Sequence, residues 1–331
     1  MHRILRATEW LLGAIERCAY QLRLALYYRR TGIVRPAPVQ DRGTASAATI
    51  ADMQPPRAAW NKFPDVLIHA SESAVTKHPR YQAAKCGDAE AAVRLVEETI
   101  DPAQVATLRA FLGGRKATLV SVHAFEDEGV NAIPEVFAEA LANSLGLPHA
   151  SGIVQANIVG HTGADGYARL ARQPAFEGEV QPDADYVIVD DFVGMGGTLA
   201  NLKGYIESKG GRVLAAVTLT GKPYSARLRP EPDQLSKLRA KHGQDLEDFW
   251  RERFGHGFDA LTQSEARYLS RSPDADTIRN RLAEKEPARD RRLREEDPES
   301  GVTPMRARCD AGPVRRDEDP ADAGPSASRT R

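Results

Sequence analysis

Along the chain the apolar positions change period several times, and each change marks an element. From Met1 to about Arg30 they recur at helical spacing (Ile4, Leu5, Leu11, Leu12, Ile15, Ala19, Leu22, Leu26), while Glu9, Glu16, Arg17 and Arg23 interrupt any continuous apolar span. That pattern excludes a transmembrane helix, and it lacks the clean apolar run and small-residue cleavage site of a secretory signal. Three readings stay open: a membrane-surface helix, a packing helix, or sequence upstream of the true start. Thr31 to Pro56 is rich in Ala, Pro, Ser and Thr and reads as a linker. Met53, inside it, is a candidate start of translation; the intact mass of the natural protein decides this.

A globular pattern begins near Asn61. Asp65 to His69 predicts a short strand, Pro79 to Ala84 a helix, and Asp88 to Thr99 a second helix with Asp88 as N-cap. Thr118 to His123 predicts a core strand, the acidic loop Phe125 to Asn131 follows, and Pro134 to Leu145 predicts a helix closed by Gly146-Leu-Pro148. Ser151 to Val159 reads as a further strand. His161 to Pro174 lacks a core-like pattern and suits a mobile loop. Tyr186 to Val189 is a continuous β-branched run fit for burial on both faces of a parallel sheet. A helix from Thr198 to about Lys209 and a strand from Arg212 to Thr220 follow, and the right-handed crossover rule makes the two strands parallel neighbours.

Beyond Tyr224 the period is helical: Leu235 to Lys241, Asp245 to Phe254, Ser264 to Leu269 opened by the capping box Thr262-Gln-Ser-Glu265, and Asp276 to about Lys285 after Pro273. Trp250, Phe254, Phe258 and Tyr268 read as packing anchors; stacking on a base is the alternative. From Glu286 the chain is charged, Pro-rich and nearly without large apolar residues, which predicts disorder. The expected organisation is 1–56 helix and linker, 57–225 an α/β domain, 226–285 a helical region and 286–331 a tail.

The candidate chemistry gathers where the Tyr186 strand ends. Asp190 and Asp191 sit at the strand edge where open α/β sheets bind ligands. Gly194, Gly196 and Gly197 permit a tight turn whose N–H groups converge, and the following helix start adds partial positive charge. Carboxylates beside an anion nest suit a ligand that carries both hydroxyls and phosphate. Rival glycine motifs fail on spacing. A dinucleotide fingerprint from Gly194 needs a small residue where Leu199 stands, and a Walker loop ending at Gly221-Lys222 meets Pro223 and Ala216 at its required positions.

Composition narrows the class. With 331 residues, 41% of them hydrophobic, the chain can bury a sizeable core in one or two domains, and its net charge of −1 argues for neither a nucleic-acid binder nor a polyanion, so no nucleic-acid partner is expected. Three scattered cysteines argue against a disulfide framework or a cysteine zinc site and fit a reducing cytoplasm; the eight histidines form no H-E-x-x-H pattern.

The stretch Val187–Val189, Asp190-Asp191, Phe192–Met195, Gly196-Gly197-Thr198 resembles, in register, the phosphoribosyl-pyrophosphate (PRPP) motif of type I phosphoribosyltransferases. The unit Gly129-Val-Asn131 with Leu145-Gly-Leu-Pro148 looks closest to ComF-like members, with Val130 replacing an aromatic residue; the alternative is a plain β–α connection with its charged residues facing water. The resemblance implies a type I phosphoribosyltransferase-like α/β fold, a mainly parallel sheet with flanking helices and a variable hood. Asp65 to Thr99, shared with the C-terminal helices, is the candidate hood.

It also implies roles. Asp190 and Asp191 would hold the ribose hydroxyls. Val193, Gly194, Met195, Gly196, Gly197 and Thr198 would hold the 5′-phosphate. Glu126, Asp127, Glu128, Gly129, Val130 and Asn131 would adjoin pyrophosphate, and Arg169 and Arg172, on the closing loop, would stabilise its departure. Mg²⁺ is expected from the ligand, since a hard cation prefers phosphate oxygens. Two departures matter: Gly194 replaces the carboxylate that helps deprotonate the purine in hypoxanthine–guanine enzymes, and Met195 replaces a phosphate-bonding Thr or Ser. The expected function is transfer of a phosphoribosyl group to a nitrogen acceptor, in nucleobase salvage or on an unassigned base, in the cytoplasm. The expected partners are PRPP and a small base, with a homodimer open. The alternative is a non-catalytic PRPP or nucleotide sensor, including a ComF-like role.

Overall fold

The computed structural model describes residues 56–122, 125–126, 129–155 and 165–285. The amphipathic N-terminal segment, the linker with Met53, Asp127, Glu128, 156–164 and the charged tail lie outside the described residues. In chain order the elements are β1 (Leu67–Ala70), α1 (Glu72–Thr76), α2 (Tyr81–Lys85), α3 (Ala89–Thr99), α4 (Pro102–Leu112), β2 (Ala117–Ser121), β3 (Phe125–Glu126), β4 (Gly129–Val130), α5 (Ile133–Leu145), β5 (His149–Ala150) and β6 (Val154–Gln155). Then come α6 (Gly166–Ala171), β7 (Phe176–Glu177), β8 (Asp185–Val193), α7 (Gly197–Ser208), β9 (Arg212–Gly221), α8 (Pro232–Phe254), α9 (Gln263–Arg271) and α10 (Ala275–Lys285).

Five strands form one parallel sheet in the order β1-β9-β8-β2-β5, so the protein is α/β with β8 at the centre. Alternation along β8 sends Val187 and Val189 to one face and Tyr186 and Ile188 to the other. On the first face Leu95 of α3, Leu108 of α4 and Phe137 and Leu141 of α5 bury against Leu119, Val189 and Val217. On the second, Leu199, Leu202 and Ile206 of α7 bury against Val120, Ile188 and Ala216. A third apolar cluster joins Leu170 of α6 to Trp250, Phe254, Phe258, Leu269 and Leu282. The aromatic residues at helical spacing therefore pack, with Tyr268 edge-on to Tyr167 at 5.1 Å between ring centroids.

Local signals explain the boundaries. Asp88 accepts from Ala91 N–H as the N-cap of α3, and Thr262 and Glu265 form the reciprocal capping box of α9. The two C-terminal helices anticipated at Leu235 and Asp245 form α8, with Gly243 breaking the helical backbone between them.

The candidate hood segment packs into the α/β domain beside the site: β1 hydrogen-bonds to β9 as a sheet edge, and Ala84, Leu95 and Val96 from α2 and α3 enter the main core. Other expectations need correction. The strand expected at Ser151 to Val159 is, in its described part, only Val154–Gln155, paired antiparallel with β7; His149–Ala150, next to the Gly-Leu-Pro turn, takes the sheet edge instead. The described part of the expected mobile loop is helix α6, capped by the Asp165 carboxylate accepting from Ala168 N–H at 2.7 Å.

Candidate functional site at the sheet switch point

The strand order defines a crevice. From β2 the chain passes through α5 to β5 on one side, and from β8 it passes through α7 to β9 on the other. The boundary between β2 and β8 is therefore the topological switch point, where open α/β sheets place ligands. The β2–β8 ladder stops at Ser121 opposite Val189, whereas β8 continues beside β9 to Val193. Asp190 and Asp191 thus lie within β8 rather than after it, at the point where β2 has left their edge.

Both aspartates are buried, each 7% exposed as a residue. Asp191 donates its backbone N–H to the Asp190 carboxylate at 2.8 Å. Alternation puts Asp191 on the face of α2, α3 and α5, and there the Lys85 ammonium at the end of α2 meets Asp191 Oδ2 at 3.1 Å. Burial opposes charge on Asp191, but Lys85 by charge and hydrogen bond, together with hydrogen bonds from Asn131 and Asp190, holds it below the usual range. Burial, and then the Asp191 charge, push Asp190 well above it. Lys85 thus favours the charge on Asp191, while burial and that charge disfavour a second charge on Asp190.

Beyond Val193 the chain enters the glycine turn. Gly196, at φ +80°, is the N-cap of α7, and a Cβ there would stand 2.5 Å from Leu228 Cδ2 and 3.3 Å from Thr262 Cγ2. Glycine is required by both backbone and packing. Gly194 faces another neighbour: its Cβ position is 3.1 Å from Arg169 Nη1. Arg169, from the last turn of α6, therefore stands against the turn that precedes a helix N-terminus. Thr198 and Gly197 remain partly accessible at that helix start.

The far side of the turn is held from the C-terminal helices. Thr262 Oγ1 donates to the Met195 carbonyl at 2.6 Å, and Met195 packs into the third apolar cluster. Arg57 makes a two-pronged contact with Glu265 at 2.6 and 2.9 Å, and its Nε donates to Asn201 Oδ1 of α7 at 2.5 Å. Asn201 in turn donates to the Pro174 carbonyl at 2.9 Å. Helix α6 is fixed separately by Asp165–Lys285 at 2.7 Å and by the hydrogen bond between Tyr167 and Ser272.

Asp190, Asp191, Asn131, Arg169 and the turn Val193 to Thr198 are thus brought together. Arg172 caps the end of α6, where its charge acts on Asp165. Glu126, Gly129 and Val130 belong to the β3–β4 hairpin leading to Asn131. Lys85 was missed by sequence reasoning because it reaches Asp191 from 106 positions away, and no local pattern announces it. So was the polar cluster at the end of β2, where Ser121 Oγ donates to Glu135 at 2.6 Å and His149 Nε2 lies 3.3 Å from the same carboxylate. Among the described residues, no three His, Cys, Asp or Glu side chains are grouped to hold a metal.

No family model matches the chain. It is 46% identical over 227 residues to Protein TraN of Escherichia coli, covering 69% of this chain and 51% of that protein. It is 41% identical over 156 residues to an uncharacterized protein of Haemophilus influenzae, covering 47% of this chain and 35% of that protein. The chain spans about half the length of the first relative and about a third of the second. Among solved structures it is similar to an adenine phosphoribosyltransferase, with 16% identity, TM-score 0.27, and coverage of 45% of this chain and 75% of that one. It is also similar to the adenine phosphoribosyltransferase of Leishmania tarentolae, with 15% identity, TM-score 0.26, and coverage of 57% and 92%. Among the described residues, no helix is long and apolar enough to cross a membrane.

Proposed function

We propose that this chain binds PRPP and transfers its phosphoribosyl group to a nitrogen acceptor, releasing pyrophosphate. One observation carries the reading: an adjacent carboxylate pair at the switch point leads directly into a glycine turn and helix start faced by Arg169. Hydroxyls and a phosphate at neighbouring positions on one sugar are the ligand this arrangement suits.

In the proposed reaction the bond from the anomeric carbon to pyrophosphate breaks, and pyrophosphate takes the electron pair. The acceptor nitrogen's lone pair forms the new bond, and its proton is lost. Asp190 and Asp191 accept from the ribose hydroxyls. Backbone N–H groups of Gly194 to Gly197, the Thr198 hydroxyl and Arg169 hold the 5′-phosphate. Arg169 moves from the leaving-group side, where the resemblance put it, to the turn side. The β3–β4 hairpin and Asn131 adjoin the pyrophosphate. Mg²⁺ would arrive on the phosphates, where it would neutralise the leaving group.

One observation favours a second reading, a PRPP or nucleotide sensor with the ComF-like role as its variant. Helix α6 is tied to α9 and α10, so Arg169 belongs to a fixed scaffold and gives no argument for a closing lid. Pyrophosphate release from PRPP and Mg²⁺, measured with purine, pyrimidine and nicotinic acceptors, separates the two. Release that depends on the acceptor and is lost in Asp190→Asn/Asp191→Asn supports the transferase. Thermal stabilisation by PRPP without release supports the sensor, and neither response refutes the site.

A further inference from the structure

This inference rests on the reading above and concerns the other end of the same ligand. Lys85 closes α2, and α2 is docked at the hairpin exit: the Ala84 carbonyl accepts from Ala132 N–H at 3.1 Å, directly after Asn131. Lys85 and Asn131 both engage Asp191, so the ammonium stands on the hairpin side of the carboxylates. Arg169 stands at the turn that follows the carboxylates, against Gly194. From the hairpin to the turn the charges therefore run cation, carboxylate pair, cation. A pentose with phosphate at both ends and its diol between them has the complementary order.

We infer that Lys85 is a direct ligand of the phosphate at the anomeric end, and that Asp191 holds it in place until that phosphate arrives. Its side chain is 13% exposed and already within the crevice, so little ordering remains on binding. An ammonium on a flexible four-carbon stem can turn from a carboxylate to a phosphate oxygen without moving the backbone. The exchange frees Asp191 to accept from a ribose hydroxyl. Neither anion is then left buried without a partner.

The test compares PRPP with ribose 5-phosphate, which lacks the anomeric phosphates, by titration calorimetry on the full chain in Mg²⁺ buffer. Lys85→Met is expected to weaken PRPP by roughly ten- to a hundredfold, the loss of one charge-assisted hydrogen bond, and ribose 5-phosphate by less than about threefold. Arg169→Met is expected to weaken both alike. Because Lys85→Met leaves Asp191 without its counter-charge, Asp191→Asn is also compared with Lys85→Met/Asp191→Asn, where no such imbalance arises. An additional PRPP-only loss in the double variant supports the assignment. Equal losses for the two ligands in both comparisons overturn it and leave Lys85 as a counter-ion of Asp191. A wild-type chain that binds ribose 5-phosphate but gains nothing from the pyrophosphate also overturns it, while the 5′-phosphate site stands. A wild-type chain that binds neither ligand overturns the PRPP reading itself.

Discussion

The Arg57–Glu265 contact predicts how firmly the glycine turn is held. Both side chains are nearly inaccessible, at 1% and 3% exposure. Arg57→Ala would leave the Glu265 carboxylate buried, with the Thr262 N–H at 2.8 Å as a remaining donor. Stranding a buried charge in this way costs about 3–5 kcal/mol, whereas replacing both partners by apolar residues of similar volume is often near neutral. At roughly 2–4 °C per kcal/mol for a domain of this size, the single variant should melt about 10 °C lower. The sign of its pH dependence is also fixed. Against the opposing effect of burial, Arg57 holds the wild-type Glu265 below the ordinary carboxylate range. Without Arg57, burial dominates and the carboxyl takes up a proton more readily in the folded state. The deficit of the variant should therefore shrink as pH falls from 8 toward 5. Urea unfolding followed by tryptophan fluorescence reports it, since Trp60 Nε1 donates to the Leu261 carbonyl in the same layer. A loss below about 1 kcal/mol, or a gap that does not narrow in acid, refutes the reasoning, as does an Arg57→Met/Glu265→Leu double variant no more stable than Arg57→Ala.

Three further outcomes follow from the same geometry. Asp190→Asn should leave the melting temperature at pH 8 unchanged or raised, because folding already disfavours the Asp190 charge above pH 3.8, while PRPP affinity falls; a marked loss of stability would contradict the raised pKa. His69 and His256 are each held down to about 4 by burial, against an ordinary 6.5, so stability is complete above 6.5 and declines as pH falls toward 4, by up to about 3 kcal/mol per residue. For His256, whose Nδ1 faces the Gly257 carbonyl and whose Nε2 lacks a partner, His256→Gln should flatten that decline in acid unfolding curves. Gly196→Ala combines a left-handed backbone with a side chain driven against Leu228, and calorimetric melting should show a loss of about 2 kcal/mol or more.

Local chemistry was the legible part of this chain. The β8 run, the Asp190-Asp191 pair, the glycine turn and the α9 capping box are each written in adjacent residues; β8 and the capping box fall where expected, while the strand runs on through the acid pair to Val193. Three helices were overlooked although their signals are local: α1 starts at the Ser71 cap, α4 starts at Asp101-Pro102 and stops at Gly113 in the left-handed region, and α6 starts at the Asp165 cap. Brevity hid α1, weak apolar periodicity hid α4, and flanking glycines hid α6. Other features could not be read locally. Lys85 reaches Asp191, and Arg57 reaches Glu265, only after the sheet has fixed the strand order, because charges 106 and 208 positions apart carry no common pattern. The sheet edge at His149–Ala150 is likewise too short to be distinguished from the turn before it.

Gly194 carries the last argument, about the acceptor. The residue three positions after the second acid is a carboxylate in hypoxanthine–guanine enzymes, and Gly194→Asp would seem to restore it. Here the Cβ of residue 194 would point at Arg169, with Nη1 at 3.1 Å, and Arg169 lies on a helix fixed through Lys285 and Ser272. A carboxylate at 194 would therefore meet a guanidinium, pair with it and have its pKa lowered, which makes it a poorer base. Pairing would also withdraw Arg169 from the proposed 5′-phosphate site. Gly194→Asp should gain no hypoxanthine- or guanine-dependent pyrophosphate release, and it should weaken ribose 5-phosphate and PRPP to a similar degree. Release that appears with those purines, at unchanged affinity for the sugar phosphates, would mean that Arg169 yields at no cost to the anion site and that its placement does not govern the turn.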